Sequence, residues 1–96
     1  MDVIILTPDK KLFEGTAERI SATGTDGEFE VLANHAPMVS ALGLGTVVVT
    51  TSGRETKEFE ISGGFIEVLD NKVSLMVQQG TTPLQLTNDN DFVTED

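Results

Sequence analysis

The chain has 96 residues, enough for one small domain with a single core. Its 16 acidic residues against 6 basic ones give a formal net charge of −10, which argues against a nucleic acid or an anionic lipid surface as partner, because both are bound through Lys and Arg. The absence of cysteine excludes a disulfide framework and a thiolate metal site.

The hydrophobic content of 39% is that of a soluble globular domain. No run approaches the ~18 apolar residues that a membrane-spanning helix needs. The start of the chain, Met1 to Leu6, lacks the basic residues and the small-residue cleavage site of a signal peptide. We therefore expect a protein of the cytoplasm that reaches a membrane only through another protein.

Short strands are predicted one after another along the chain. Phe29 and Val31 alternate with Glu28 and Glu30, as on a strand with one buried face. The first strand is apolar at every position, which is typical of a strand covered on both faces. Residues 47–51 are rich in β-branched side chains, which favour a pleated surface. The predicted strands are 3–6, 18–22, 28–31, 47–51, 57–61, 65–69 and 72–75.

Turn chemistry separates these strands. Turns are predicted at Thr25-Asp26-Gly27, Ser52-Gly53, Ser62-Gly63-Gly64 and Asp70-Asn71, whose residues tolerate positive φ or bond their own backbone. The glycine pairs at 43/45 and 63/64 are expected in tight turns or bulges between strands. Strands recurring about every ten residues, with no 3.6-residue period, predict an all-β antiparallel sandwich.

Residues that could carry chemistry are few. His35 is the only histidine, and no local nucleophile or orienting group accompanies it. Glu28 and Glu30 leave one face of a strand and are expected to be solvated. Asp89 and Asp91 lack the glycine and distal glutamate of a calcium loop. The sequence therefore predicts no catalytic residue, no metal site and no bound cofactor.

Two ordered stretches carry a family resemblance. The first is residues 24–37, GTDGEFEVLANHAP, and the second is residues 62–68, SGGFIEV, followed by Asn71-Lys72-Val73. With the opening TPDKKLFEG at residues 7–15, they resemble the signature of the epsilon subunit of bacterial and plastid F-type ATP synthases, the counterpart of the mitochondrial delta subunit. The order and spacing agree over residues 1 to about 78.

The resemblance implies a flattened sandwich of about ten short strands. It also implies a non-catalytic subunit of the central stalk, which joins the gamma subunit to the membrane-embedded c-ring so that ion-driven rotation powers ATP synthesis. We expect the chain to be monomeric when isolated and, from its acidic charge, to bind no lipid directly. It is expected at the cytoplasmic face of the bacterial inner membrane, held there through the ATP synthase.

Two sets of contact residues follow from the resemblance. Asp26, Gly27 and Glu28 match the family's contact with the polar loops of the c-ring, where a basic residue would suit the carboxylates. The second set matches a patch that the family packs on gamma, with ordinary core packing as the alternative: Leu12, Pro37, Val39 and Ala41, with His35 beside them.

The chain departs from the family after the sandwich. Family members continue into a helical hairpin that restrains ATP hydrolysis, whereas residues 81–96 form an acidic tail without a helical pattern. The predicted organisation is a sandwich over residues 1–80 and this tail, with coupling but no helical self-inhibition. A free-standing peptide- or carbohydrate-binding module is the alternative, although five Phe, no Trp and no Tyr make a poor aromatic platform. An enzyme ranks last.

Overall fold

The computed structural model describes residues 1–79, and the predicted tail at 81–96 lies outside this range. Eight strands account for most of the described chain, and the all-β class is confirmed. Their bounds are β1 (Asp2–Leu6), β2 (Lys11–Gly24), β3 (Gly27–Leu32), β4 (Met38–Leu42), β5 (Gly45–Thr51), β6 (Thr56–Ile61), β7 (Gly63–Leu69) and β8 (Lys72–Gln78).

The strands form two layers. The first layer has the order β1-β8-β7-β4, and the second has β3-β2-β5-β6. The 14-residue strand β2 joins them, because its first half pairs with β1 and its second half pairs with β3 and β5. The expected count of about ten is wrong for the described residues, since this one long strand serves both layers.

Two further expectations need correction. The sandwich is not purely antiparallel, because β1 pairs with β8 in parallel while the other strand pairings are antiparallel. Gly63 and Gly64 do not form a turn; they begin β7 and pair with Gln78 and Val77 of β8. Only Ser62 separates β6 from β7, and it carries the chain from the second layer to the first.

The core lies between the two layers and is built by period-2 alternation. Ile20 and Val31 are fully buried at opposed positions of β2 and β3, as the sequence pattern predicts. The first layer contributes Val3, Ile5, Leu42, Ile66, Val68, Val73, Leu75 and Val77, and the second contributes Ala17, Ile20, Ala22, Val31, Val47, Val49 and Ile61. No helix within residues 1–79 is long and apolar enough to cross a membrane.

Candidate binding surfaces

An apolar row crosses the outer side of the first layer. Ala41 lies opposite Phe65, Phe65 opposite Met76, and Met76 beside Leu6, so one row crosses all four strands. Val39, two residues before Ala41, lies on the same side of β4 and opposite Glu67. The apolar face is defined here as Leu6, Val39, Ala41, Phe65 and Met76. Val39 is 72% exposed and Phe65 is 60% exposed, and large hydrophobic side chains exposed together on one face mark an interaction surface.

A shallow groove runs along this apolar face. Its volume is about 560 Å³, and its lining includes Leu6, Pro8, Phe65 and Met76. The strand β1 shares in it because Leu6 points outward while Val3 and Ile5 point into the core. The expectation that β1 is covered on both faces is therefore wrong for this chain by itself, since its outer side is left partly open.

Gly64 explains how β7 comes so close to β8 beside this face. Its φ of 144° is a conformation that favours glycine. A Cβ at this position would overlap the carbonyl group of Met76 and the Cα of Val77. The second glycine of the Gly-Gly pair in the sequence signature therefore allows a close approach of two backbones, next to the position where Phe65 pairs with Met76.

The structure brings together most of the predicted gamma-contact residues. Val39 and Ala41 belong to the apolar face, and Pro37 is exposed just before β4 begins. His35 is half-buried in the preceding loop, with Nδ1 2.7 Å from the carbonyl oxygen of Ala36. Leu12 is not brought to this face, because it lies on β2 and packs partly against the core.

Sequence reasoning missed three members of the apolar face, namely Leu6, Phe65 and Met76. A signal for Phe65 was present: Ile66 and Val68 have the same parity and both fill the core, so Phe65 must point outward. Leu6 ends a run that is apolar on both sides of the strand, so only the strand register shows which side faces solvent. Met76 has the same parity as the polar residues Lys72 and Ser74, so alternation also gave a signal for it.

The acidic hairpin, defined as Asp26, Gly27 and Glu28, lies at the tip of β2 and β3. Gly24 pairs with Gly27, which leaves Thr25 and Asp26 as a two-residue turn. The hairpin rests on the neighbouring strand, because the Thr25 N–H donates to the Ala41 carbonyl oxygen at 3.3 Å. All three predicted c-ring residues therefore lie together and are exposed.

The charges of the acidic hairpin are unneutralised within the described chain. Between residues 1 and 79 the ion pairs are Lys11–Glu14 at 2.6 Å and Arg19–Glu30 at 3.6 Å, and neither involves Asp26 or Glu28. Leu44, which sequence reasoning missed, is 79% exposed and shares a surface groove with Glu28. The tip thus offers two free carboxylates beside one exposed aliphatic side chain.

No arrangement for metal binding is found in the part of the chain that the structure describes: no group of three or more His, Cys, Asp or Glu side chains converges there. The same residues contain no buried polar or charged side chain. The candidate binding features of residues 1–79 are therefore two exposed surfaces, the apolar face and the acidic hairpin.

Comparisons with known proteins agree with this architecture. Residues 1–83 match the family model described as ATP synthase, Delta/Epsilon chain, beta-sandwich domain. An ATP synthase epsilon chain of Salinibacter ruber is 40% identical over 81% of this chain and 58% of its own length. One of Chlorobaculum tepidum is 41% identical over 78% of this chain and 85% of its own length.

A solved structure gives the same result. A chain in the Euglena gracilis mitochondrial ATP synthase, whose structure includes the OSCP, F1 and the c-ring, superposes with a TM-score of 0.70. It is 28% identical, and the match covers 78% of this chain and 48% of that one. The fold and these matches define a β-sandwich domain of the ATP synthase delta/epsilon type, and the chain belongs to the ATP synthase delta/epsilon family. The match spans 58% and 62% of the length of the first two relatives.

Proposed function

We propose that this chain couples the gamma subunit to the c-ring in the central stalk of an F-type ATP synthase and has no active site of its own. The observation that carries the proposal is the apolar face, in a domain of the delta/epsilon family with a net charge of −10. Such a face on a highly charged chain calls for a protein partner. A free-standing peptide- or carbohydrate-binding module is not favoured, because the family match accounts for the whole sandwich.

The apolar face supplies the affinity for gamma. Fully burying a Leu, Phe or Met side chain contributes about 1.5–3 kcal/mol, before the cost of association. Phe65 and Met76 are central in the row, where a partner excludes water most completely. Val39 and Pro37 extend the contact to the β3–β4 loop. We expect gamma to present a complementary apolar surface without buried charges.

The acidic hairpin meets the c-ring. Its carboxylates have no cation among the described residues and would attract basic side chains in the polar loops of the ring. Charges at a solvent-accessible rim mainly set the rate and orientation of association. Leu44 adds an apolar contact at the same end of the molecule. The two partners are thus bound by different forces.

The proposed role also sets where the chain works. An epsilon-type subunit of this kind is peripheral and lies at the cytoplasmic face of a bacterial inner membrane, attached through gamma and the c-ring. The absence of any candidate catalytic group in the sequence supports a structural role, and the nucleotide-binding residues would belong to other subunits. The Euglena structure, which contains F1 and the c-ring together, supports a place within an ATP synthase.

The test is co-purification with a gamma subunit from the same source. The chain should bind gamma one-to-one, and Val39→Asp should abolish binding because it places a charge in the apolar contact. Leu44→Asp is the matched control, since Leu44 is an exposed aliphatic residue that lies beside the acidic hairpin instead. Circular dichroism should show both variants folded. Failure of the wild-type chain to bind gamma, or equal losses in the two variants, would contradict the proposal.

A second measurement concerns ATP hydrolysis. The tail at residues 81–96 carries no helical pattern, so residues 1–96 should bind a gamma-containing catalytic head without restraining it. We expect ATPase rates with and without the chain to agree within about twofold, well short of the tenfold that 1.4 kcal/mol would bring. Strong inhibition by the wild-type chain, absent with Val39→Asp, would refute coupling without self-inhibition.

A further inference from the structure

The β3–β4 loop, residues 33–37, holds two of the proposed gamma contacts, His35 and Pro37. It begins with a hydrogen-bonded turn and is also bonded to a distant residue of the chain. The His35 N–H donates to the Leu32 carbonyl oxygen at 3.1 Å, which closes a tight turn. Asn34 is the third residue of this turn and has a φ of 63°, as a type II turn requires at that position. The Asn34 N–H is not used by the turn itself and is free to bond elsewhere.

The side chain of Asn71 accepts that hydrogen bond. The Asn34 N–H donates to Asn71 Oδ1 at 2.7 Å, across 37 residues of sequence. The main chain of Asn71 makes a further link, because its carbonyl oxygen accepts from the Asp2 N–H at 3.1 Å. One residue in the β7–β8 turn therefore connects the β3–β4 loop with the start of β1.

Asn71 holds this position through the geometry of its own turn. Asp70 and Asn71 have φ of 52° and 61°, and Leu69 pairs with Lys72 on either side of them. Two consecutive positive φ values between paired strands define a two-residue type I′ turn. Such a turn projects the Asn71 side chain in a fixed direction, and here that direction is toward the loop.

We propose that Asn71 is a positioning residue for the gamma contact: by accepting the Asn34 N–H, it fixes the loop that carries His35 and Pro37. The inference rests on the proposed function, since it assumes that this loop contacts gamma. In this proposal Asn71 does not itself contact gamma and acts only through the loop. Without its amide oxygen, the loop would bind gamma only after being ordered, and that ordering lowers the apparent affinity.

The structure supplies a clean pair of variants. Asn71→Gly removes the side-chain acceptor, yet Asp-Gly is a preferred type I′ pair and keeps the backbone carbonyl that holds Asp2. Asn71→Asp keeps an oxygen at the Oδ1 position. Losing one hydrogen bond should weaken gamma binding by about 3- to 10-fold in Asn71→Gly, whereas Asn71→Asp should bind within about twofold of wild type.

The experiment uses the full chain of residues 1–96 and measures the Kd for gamma by titration calorimetry, with the unfolding midpoint in urea beside it. Support requires weaker binding in Asn71→Gly under conditions where the urea curve shows the variant folded, a fall in unfolding free energy no larger than the roughly 0.5–1.5 kcal/mol of one hydrogen bond, and rescue by Asn71→Asp. In a Pro37→Ala background, the effect of Asn71→Gly should shrink, because a weakened loop contact has less to lose. Faster amide hydrogen exchange at Asn34 in Asn71→Gly should accompany the loss.

The outcomes separate the two proposals. If the wild-type chain does not bind gamma, the proposed function fails. If it binds and Asn71→Gly binds equally well, the positioning role is overturned while the proposed function stands. A binding loss that Asn71→Asp shares, or one that stays undiminished in the Pro37→Ala background, also overturns the positioning role.

Discussion

The two layers of the sandwich bury similar apolar inner faces, but their outer faces differ in polarity. Across the first layer, the outer row is Leu6, Met76, Phe65 and Ala41. Across the second, the corresponding row is Glu30, Ser21, Val48 and Glu58, with carboxylates at both ends. Period-2 alternation produces both layers, so it cannot by itself distinguish a surface meant for a partner from one meant for water. The composition of whole cross-strand rows does distinguish them.

The largest effect is expected from the positive-φ glycine of each layer. Gly64→Ala should lower the free energy of unfolding by about 3–5 kcal/mol, because strain at φ 144° adds to overlap with the β8 backbone. Gly27→Ala should cost about 1–2 kcal/mol, since φ is 128° but nothing lies within 4 Å of the added Cβ. Urea unfolding compares them. Equal costs would show that β7 and β8 are not held as closely as described.

Next in size is truncation within the apolar row. Phe65→Ala should weaken gamma binding about 30-fold, as expected for an aromatic residue at an interface centre. The unfolding free energy should change by less than about 1 kcal/mol, because the side chain is 60% exposed. Leu44→Ala is the control: it removes a comparably exposed apolar side chain at the other surface and should leave the affinity for gamma unchanged. A similar loss in both variants would break the distinction between the two surfaces.

A smaller effect is expected from the charges of the acidic hairpin. The double variant Asp26→Asn/Glu28→Gln should slow association with detergent-purified c-ring about 3- to 10-fold at low salt. Because salt screens such attraction, the difference should nearly vanish near 0.5 M NaCl, where the Debye length is only about 4 Å. Glu58→Gln/Glu60→Gln makes the same charge change on β6 and should leave the rate unaltered. A uniform slowing in both double variants would indicate net charge alone.

The smallest effect on stability is expected from a charge change in the outer row of the second layer. Glu30→Gln removes the ion pair with Arg19. Both side chains are about half exposed, Glu30 at 52% and Arg19 at 51%. We expect the free energy of unfolding to fall by less than about 0.5 kcal/mol, because solvent screens such pairs. Urea unfolding at 0.05 and 0.5 M NaCl is the measurement. A loss above about 1 kcal/mol would mean that this outer face stabilises the fold.

Much of the fold was predictable from local pattern. Alternation placed Phe29 and Val31 inward, and the sequence signature identified the family that the comparisons confirm. The full length of β2 was missed because the pairing with β5 shifts between Ala17 and Arg19, which interrupts the alternation.

The surfaces were only partly predictable. Val39 and Ala41 were identified through the family resemblance, whereas Phe65 and Met76 become neighbours only through the β7–β8 register. The contact between Asn34 and Asn71 spans 37 residues and leaves no local signal. A lone sequence shows which residues alternate, but the sheet order decides which of them meet. The gamma and c-ring contacts stay predictions until binding is measured.

The long strand β2 has a mechanical consequence. A force applied at the acidic hairpin enters β2 along its axis, at the tip of a strand whose cross-strand bonds to β3, β5 and β1 follow one another along its length. Pulling along a strand loads many such bonds at once in shear, whereas pulling across it would open them one by one. An axial load on the hairpin is therefore shared by both layers before any single bond fails, so this small domain can bear tension without a longer scaffold.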